Sequence, residues 1–221
     1  MPRITPQELL AAYASGVFPM AKSAASRAIF WVDPEARGIL PLDAFHIPKR
    51  LARTVRQDVF AVHINTQFPR VMELCAQAAP DRPSTWINQT IRELYTELHR
   101  MGHAHSVEAT TNHGQLAGGL YGVSLGAAFF GESMFTRARD ASKVALVHLV
   151  AHLKRKGFTL LDAQFITEHL KQFGAIEIPR ADYRQRLGGC LASSSLGAGA
   201  FGAEPKSISG VEALQSINQT S

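Results

Sequence analysis

Cysteine and tryptophan are scarce in this sequence, with two of each among 221 residues. Cys75 and Cys190 lie far apart, which argues against a disulfide framework and against a zinc site built from cysteine pairs. The first ten residues are polar and resemble the start of a helix, so they do not predict a secretory signal peptide. The apolar runs are too short to cross a bilayer. Together these absences predict a cytoplasmic protein that does not bind membranes.

The composition is that of a packed protein with a moderate positive charge. Hydrophobic residues make up 46% of the chain and the mean hydropathy is −0.03, which is enough to bury a core. The length allows one large domain or two small ones. The net charge is +5 and the sequence pI is about 9.5. That charge suits a polyanionic partner, but it suits a mildly basic enzyme equally well.

The most informative stretch is residues 116–137, LAGGLYGVSLGAAFFGESMFTR. It predicts two apolar strands, 116–123 and 127–134, joined by a turn at 124–126. The glycines of the first strand indicate a bulge or a close backbone approach. The second strand places Glu132 inside an apolar run, and a carboxylate is rarely buried without a partner. Glu132 is therefore a candidate functional residue; an exposed position at a strand end is the alternative.

A pair of polar residues lies at the end of a short buried strand predicted at 158–162. Asp162 and Gln164 are two residues apart, so strand geometry places them on the same side. They lie at the carboxyl end of the strand, where α/β sheets bind ligands. An acid that orients an amide, which in turn contacts a reacting amine, is chemically sensible. The alternative is that Asp162 caps the helix predicted to begin near Thr167.

Aromatic and basic residues indicate a possible nucleic-acid interface. Trp31 and Trp86 each lie next to a loop and near basic residues, and aromatic faces stack on bases while cations hold phosphates. Core packing is the alternative for either tryptophan. The helix predicted at 48–57 carries four cations, Lys49, Arg50, Arg53 and Arg56. An ordinary solvated face is the alternative for that helix.

Motifs that would indicate other chemistry are incomplete. The segment 131–135 lacks the second glycine of a nucleophile elbow. His148 and His152 are four residues apart, but the glutamate of a metalloprotease helix is missing. His103 and His105 share a strand face without an evident third ligand. With no P-loop and no dinucleotide fingerprint, we expect neither a metal ion nor a cofactor.

The predicted elements indicate an α+β or mixed α/β fold. From Val59 the order is strand, two helices, three strands, helix, strand and helix. An antiparallel sheet that gains a parallel strand after a long helix at 141–156 fits this order best. From Gly188 the composition shifts to Gly, Ala and Ser, so residues 188–221 are predicted to form a flexible tail.

A set of short motifs runs in order from about Pro6 to Leu187: GVFP at 16–19, Trp31 before Pro34 and Arg37, TWI at 85–87, GHAHS at 102–106, GESMF at 131–135, ASK at 141–143, LDAQ at 161–164, GA at 174–175 and IPR at 178–180. Together they resemble the bacterial leucyl/phenylalanyl-tRNA–protein transferases. Members of that family move leucine or phenylalanine from aminoacyl-tRNA to the N-terminal Arg or Lys of a protein, which marks the protein for degradation by the N-end rule.

The resemblance implies a fold and a set of partners. It implies a small N-terminal domain, residues 1–57, followed by a GNAT-like acyltransferase domain, residues 58–187. The expected substrates are leucyl- or phenylalanyl-tRNA, with methionyl-tRNA as a further substrate, and proteins that begin with Arg or Lys. The enzyme would need no cofactor and would work as a monomer.

The resemblance also implies roles for individual residues. Asp162 and Gln164 would form the catalytic relay, in which Asp162 accepts a hydrogen bond from the amide of Gln164. Glu132 would lie close by as a third catalytic residue; it is the candidate anion for the basic side chain of the acceptor, and a role in the relay is the alternative. Trp31 and Trp86 would hold the terminal adenosine of the tRNA, and the cations of the basic helix would meet its phosphates. The amino-acid side chain would enter an apolar pocket lined by Leu120, Phe129, Leu146 and Leu149. Leu120 and Leu149 stand where Met and Phe are familiar in the family, so the preference for Leu or Phe stays open.

Two other functions remain open at this point. An acetyl-CoA-dependent N-acetyltransferase would present a glycine-rich loop to a pyrophosphate at a helix start, and the segment 136–142 contains no glycine. A noncatalytic RNA-binding module would explain the tryptophans and the basic helix. It would leave the positions of Glu132 and Asp162 unexplained.

Overall fold

A computed structural model of the chain describes residues 4–78, 84–192, 201–202 and 208–219. Its helices are α1 (Pro6–Ala14), α2 (Lys49–Arg56), α3 (Phe68–Ala76), α4 (Gln89–Arg100), α5 (Ala141–Arg155), α6 (Glu168–Lys171), α7 (Arg180–Ala192) and α8 (Gly210–Asn218). Its strands are β1 (Phe18–Ala21), β2 (Ile29–Val32), β3 (Ala36–Ile39), β4 (Ala61–Ile64), β5 (Ala104–Thr110), β6 (Leu116–Leu125), β7 (Ala128–Thr136), β8 (Leu160–Gln164) and β9 (Ile176–Pro179).

Seven strands form one mixed sheet in the order β4-β5-β6-β7-β8-β3-β9. Every neighbouring pair is antiparallel except β7 and β8, which are parallel and are connected through α5. A parallel pair needs such a long crossover, because the chain must return to the end of the sheet where the first strand began before the second strand can start. The predicted α+β class, the hairpin, and the parallel strand after the long helix are confirmed. Strands β1 and β2 form a separate two-stranded sheet.

The sheet separates two hydrophobic cores. Side chains alternate along each strand, so Leu120 and Phe129 pack on one side while their neighbours Tyr121 and Phe130 pack on the other. We call the side covered by α2, α5 and α8 the α5 face, and the side covered by α1, α3, α4 and α7 the α4 face. The two faces are therefore distinct environments for any side chain on a central strand.

The pairing of β7 with β8 ends early. Ala128–Phe130 pairs with Leu160–Asp162, although β7 continues to Thr136 and β8 to Gln164. Beyond Phe130 and Asp162 the two strands no longer share a hydrogen-bond register. The main-chain pairing therefore stops just before Glu132 on β7 and Gln164 on β8.

The predicted domain boundary at residue 57 does not follow the structure. Strand β3 lies inside the large sheet, between β8 and β9, and α2 packs against α5 and α8. Residues 36–56 therefore belong to the same packed body as the central sheet.

The prediction of a flexible tail from residue 188 is wrong for the described residues. Helix α7 continues to Ala192, Phe201 is fully buried, and α8 packs against α5. Helix α8 begins with a capping box in which Ser209 and Glu212 satisfy each other's main-chain N–H groups. Residues 193–200, 203–207 and 220–221 of the predicted tail lie outside the described residues. None of the helices within the described ranges has the length and apolar character needed to span a membrane.

Two buried histidines should make the fold sensitive to acid. Burial is the largest factor that lowers the pKa of His105 to about 3 and the pKa of His148 to about 4. Below pH 6.5 the unfolded chain binds protons that the folded chain does not, so stability is lost as the pH falls from 6.5 towards these values. Each histidine should remove up to about 1.4 kcal/mol per pH unit in that range.

Urea denaturation at pH 7.5, 6.0 and 5.0 measures this loss. His105 contacts the side chains of Asn65 and Ser124, and glutamine can replace its polar contacts without titrating. A His105→Gln variant should therefore lose less stability per pH unit than the wild type. Equal slopes in the two proteins would contradict the prediction.

Candidate active site

Glu132 is the extra residue of a β-bulge in β7. Tyr121 pairs with Ser133 and Gly122 pairs with Gly131, so Glu132 has no cross-strand position of its own on β6. A β carbon at Gly122 would collide with a main-chain oxygen of β7, which explains the glycine opposite the bulge. Bulges re-aim a side chain and are frequent beside active sites.

The carboxylate of Glu132 lies among hydrogen-bond donors from three parts of the chain. The Tyr13 hydroxyl of α1 donates to Oε1 at 2.6 Å, and the Tyr95 hydroxyl of α4 donates to Oε2 at 3.1 Å. The two hydroxyls also contact each other. The Gln164 side-chain amide donates to Oε1 at 3.3 Å. Both tyrosines are fully buried, whereas Glu132 is partly exposed and can be reached from outside.

This environment raises the pKa of Glu132 to about 7. Burial is the largest cause; the tyrosine hydrogen bonds oppose it, and the negative charge of Asp162 adds to it. The pKa values of Tyr13 and Tyr95 are raised well above the ordinary value, first by burial and then by the charge of Glu132. The tyrosines therefore stay protonated, while Glu132 can exchange a proton near neutral pH, as a general base requires.

Asp162 is fully buried, and all its acceptor positions are occupied. Arg37 donates to both oxygens, from Nε at 2.9 Å and from Nη2 at 2.6 Å. The Tyr183 hydroxyl donates at 2.8 Å and the main-chain N–H of Gln164 at 2.8 Å. A carboxylate has about four lone-pair positions, so Asp162 has no free position for a substrate. Its chemical capacity is to hold other groups in place.

Arg37 is the cation that makes this buried carboxylate possible. Its side chain is 1% exposed, and its guanidinium lies 4.5 Å from the ring centres of both Phe18 and Tyr183. Burial lowers the pKa of Arg37, but the hydrogen bonds and charge of Asp162 more than offset this, so the net shift is upward. A buried ion pair persists only when its hydrogen bonds are complete, and this pair meets that condition.

Gln164 has a left-handed backbone with a φ of 55°, which is uncommon for a residue with a side chain. Two short local hydrogen bonds hold it there, one from its own N–H to Asp162 and one of 2.6 Å from the N–H of Phe165 to the oxygen of Ala163. The side-chain amide consequently points to Glu132. The predicted hydrogen bond from the side-chain amide of Gln164 to Asp162 is wrong, because only the main-chain N–H makes it.

Comparisons with known proteins agree along the whole chain. A family model described as leucyl/phenylalanyl-tRNA protein transferase matches residues 39–188, and a model of the N-terminal domain of that family matches residues 3–35. A protein of Rhodopseudomonas palustris (strain TIE-1) is 58% identical over 98% of this chain and 95% of its own length. One from Paramagnetospirillum magneticum is 59% identical over 87% of this chain and 91% of its own length. Both are named leucyl/phenylalanyl-tRNA–protein transferase.

The chain belongs to the leucyl/phenylalanyl-tRNA protein transferase family. It therefore transfers leucine or phenylalanine from aminoacyl-tRNA to the N-terminus of a protein, and a role in N-end-rule degradation is consistent with the family. The predicted family and enzyme class are confirmed. An acetyl-CoA-dependent enzyme and a noncatalytic RNA-binding module are no longer needed to explain the sequence.

The fold of this transferase is shared with a distant structure. A structure titled "Crystal structure of FemX" matches with a TM-score of 0.52 at 12% identity, over 77% of this chain and 66% of that chain. At this identity the match concerns the fold alone. Within the described residues, no group of three or more His, Cys, Asp or Glu is placed to hold a metal ion.

The structure separates the predicted apolar pocket of the transferase from its carboxylates. All four pocket residues are at most 4% exposed and belong to the core on the α5 face: Leu120, Phe129, Leu146 and Leu149. Glu132 and Asp162 contact tyrosines of the α4-face core. The prediction of a slot directly beside the acid and amide is therefore wrong, because alternation along β6 and β7 places the sheet between them.

The predicted tRNA-binding residues are placed unequally. Lys49, Arg50, Arg53 and Arg56 are all exposed on α2. Arg50 differs from the others because it also donates to both oxygens of Asp140, at 2.6 and 3.1 Å. Asp140 precedes α5 but makes no side-chain cap hydrogen bond there. Its carboxylate is thus used to join α2 to α5.

The two tryptophans differ in exposure. Trp31 is 43% exposed on β2, and Trp86 is partly buried just before α4. A shallow, open pocket of about 450 Å³ lies beside Trp31; its other lining residues are Ile4, Glu8, Ala11, Ala12, Ser15 and Val17. One face of the Trp31 ring is therefore accessible from solvent.

Four side chains of the site were missed by sequence reasoning: Tyr13, Arg37, Tyr95 and Tyr183. They come from α1, β3, α4 and α7, so no local motif joins them. One signal was available for Arg37, because an acid in a buried strand requires a cation partner. The tyrosines carried no comparable signal.

Proposed function

We propose that this transferase selects acceptor proteins that begin with Arg or Lys and that Glu132 and Gln164 handle the attacking amine. The observation that carries the proposal is the pair they form: a partly exposed carboxylate with a pKa of about 7, hydrogen-bonded to a glutamine held in a strained backbone. Strained residues and shifted pKa values cluster at functional sites.

The reaction is aminolysis of an ester. The α-amine of the acceptor attacks the carbonyl carbon of the aminoacyl ester, the new C–N bond forms, and the bond to the ribose oxygen breaks. Glu132 accepts the proton that the amine loses, and a proton is returned to the ribose oxygen. The Gln164 amide orients the amine. Because the ester is already activated, positioning and proton transfer are the tasks left to the protein.

Asp162 and Arg37 serve this step indirectly. Their ion pair fixes the main chain at Gln164, and this fixed main chain aims the Gln164 amide at Glu132. We thus assign Asp162 a positioning role within the relay rather than contact with the substrate. The negative charge of Glu132 would also attract the cationic N-terminal residue of the acceptor.

We assign the remaining contacts with the aminoacyl-tRNA to residues that are exposed on the surface. The terminal adenosine would stack on Trp31 beside the 450 Å³ pocket, with Trp86 as the second aromatic contact. The phosphates of the acceptor stem would meet Lys49, Arg53 and Arg56.

The proposal includes a monomer with a GNAT-like acyltransferase domain that works in the cytoplasm, where charged tRNA is available. It keeps the division into an N-terminal and a main domain. The limits of the two family matches, residues 3–35 and 39–188, support a boundary near the start of β3.

The acceptor preference is tested with purified protein, radiolabelled leucyl-tRNA and three peptides that differ only in their first residue. We expect label in the peptides that begin with Arg and Lys, and at least about tenfold less in the peptide that begins with Glu, because a second negative charge beside Glu132 is repelled. A parallel reaction with labelled acetyl-CoA should give no product. Equal labelling of all three peptides would contradict the proposed acceptor specificity, and acetylation would contradict the donor.

A further inference from the structure

We infer that Asn88 is a positioning residue that ties the hairpin carrying Trp31 to the helix start that carries Trp86. The inference rests on the proposed binding of the terminal adenosine by these two tryptophans. Asn88 is 1% exposed and lies two residues after Trp86. The inference extends the proposal by naming the contact that sets the positions of Trp31 and Trp86 relative to each other.

Strand β2, which carries Trp31, is less buried than its partner β1. Strands β1 and β2 form a two-stranded sheet apart from the large one, and two strands alone are marginally stable in water. Phe30 and Trp31 are each 43% exposed. Burial therefore holds β1 more firmly than β2, and contacts from neighbouring segments add to the position of β2 and of the Trp31 ring.

Asn88 uses both ends of its amide. Its Oδ1 accepts a hydrogen bond of 2.8 Å from the N–H of Ile91 and so caps α4. Its Nδ2 donates at 2.7 Å to the main-chain oxygen of Ser26, in the connection between β1 and β2. One buried side chain thus joins the start of α4 to the loop of the hairpin.

The base of the hairpin is held by a different element. Asp33 directly follows β2, and its carboxylate accepts from Arg184 at 2.8 Å and pairs with Arg180 at 3.3 Å. Arg180 also donates to the main-chain oxygens of Asp33 and Pro34. These contacts attach the hairpin to α7, whereas Asn88 attaches it to the segment of Trp86. The distance between the two tryptophan segments accordingly depends on Asn88.

Removing only the tether requires a variant that keeps the helix cap. Serine and aspartate both supply a capping oxygen at this position, but neither supplies the amide donor to Ser26. Ser26 is partly exposed, so its carbonyl can bind water instead. Asn88→Ser and Asn88→Asp should therefore fold. Gln89→Ala is the matched control, because the Gln89 side chain is exposed on the same helix turn and donates to Glu93.

We expect the KM for leucyl-tRNA to rise about three- to tenfold in both Asn88 variants, the loss that corresponds to one hydrogen bond. The kcat and the KM for an acceptor peptide that begins with Arg should be unchanged, and Gln89→Ala should behave as the wild type. A second measurement, the fluorescence anisotropy of Trp31, does not depend on enzymatic activity. In a Trp86→Phe background, Trp31 is the single tryptophan, and its fluorescence anisotropy should decay faster when Asn88 is replaced by Ser.

A Trp31→Ala variant separates this inference from the proposal on which it rests. If Trp31→Ala raises the KM for leucyl-tRNA while the Asn88 variants match the wild type in KM and anisotropy, the tether is irrelevant and the inference is overturned. If Trp31→Ala has no effect, the adenosine site itself is wrong. A fall in kcat in the Asn88 variants with the leucyl-tRNA KM unchanged would show a general structural role and would also overturn the inference.

Discussion

Replacement of Glu132 by Gln should lower kcat for aminoacyl transfer by about 10² to 10⁴-fold, the usual contribution of a general base. Glutamine is nearly isosteric and can keep contacts with the Tyr13 and Tyr95 hydroxyls, but it cannot accept the proton of the attacking amine. The loss should therefore appear in kcat rather than in the KM for leucyl-tRNA. Single-turnover transfer of labelled leucine to a peptide that begins with Arg measures it directly.

The same variant should be at least as stable as the wild type at pH 8. The folded pKa of Glu132, about 7, lies above the ordinary value of 4.5. The folded protein therefore binds more protons than the unfolded chain between pH 4.5 and 7, and stability falls as the pH rises through this window. The glutamine side chain of the variant carries no charge and avoids that loss. Lower activity without lower stability is the signature of a residue kept for function.

The pH profile gives an independent check of Glu132. In the wild type, kcat/KM should rise with increasing pH as two groups lose a proton: Glu132 near pH 7, and the acceptor amine at about pH 7.7–8.0. The variant should retain only the second. Glu97→Gln, which removes an exposed carboxylate from α4, should keep both. Full activity of Glu132→Gln, or an unchanged lower ionisation, would rule out the base role.

Replacement of Arg37 by Met should lower the free energy of unfolding by about 3–5 kcal/mol, because it leaves Asp162 buried without its cation. Arg37 supplies two of the four hydrogen bonds to that carboxylate. Chemical denaturation at pH 7.5 measures the change. Arg184→Met is the matched control: Arg184 also pairs with an aspartate, but its side chain is 52% exposed, so its loss should change stability by less than about 1 kcal/mol.

The partner residue completes the test. Arg37→Met combined with Asp162→Asn removes both charges, and it should recover part of the stability that Arg37→Met alone loses. If the stability of Arg37→Met is within about 1 kcal/mol of the wild type, the ion pair is not the anchor that its burial indicates. The same geometry means that Asp162→Ala leaves Arg37 as a buried unpaired cation, so loss of activity in that variant would reflect misfolding as well as catalysis.

Local patterns predicted much of the central sheet. The alternation and glycines of 116–137 indicated the hairpin and a bulge or close approach, and the structure has both, with Gly122 opposite the bulge at Glu132. Strand β9 was missed because its four residues, IEIP, are too few for a pattern. Helix α8 was missed because Gly, Ala and Ser dominate its surroundings, although the S-x-x-E box at Ser209 marks its start.

The proximity of Glu132 to Gln164 was predicted, but the way it arises was not. Period two along a strand suggests that Asp162 and Gln164 face the same way. The left-handed turn at Gln164 instead sends its side chain to Glu132. The positions of Leu120 and Phe129 were misjudged for the opposite reason, since strict alternation does hold there and carries them to the α5 face. Whether side chains keep alternating between the two faces at the end of a strand depends on tertiary contacts, which a local sequence pattern does not contain.

Arg37 and Tyr183, which meet around Asp162, are separated by 146 positions in the chain. During synthesis, the strand that carries Arg37 must therefore wait until nearly all of the remaining chain has left the ribosome. Until Tyr183 arrives, the carboxylate that steadies Gln164 lacks one of its donors. A half-made polypeptide consequently lacks the complete set of donors around Asp162, and the proposed site is assembled only when synthesis is nearly finished.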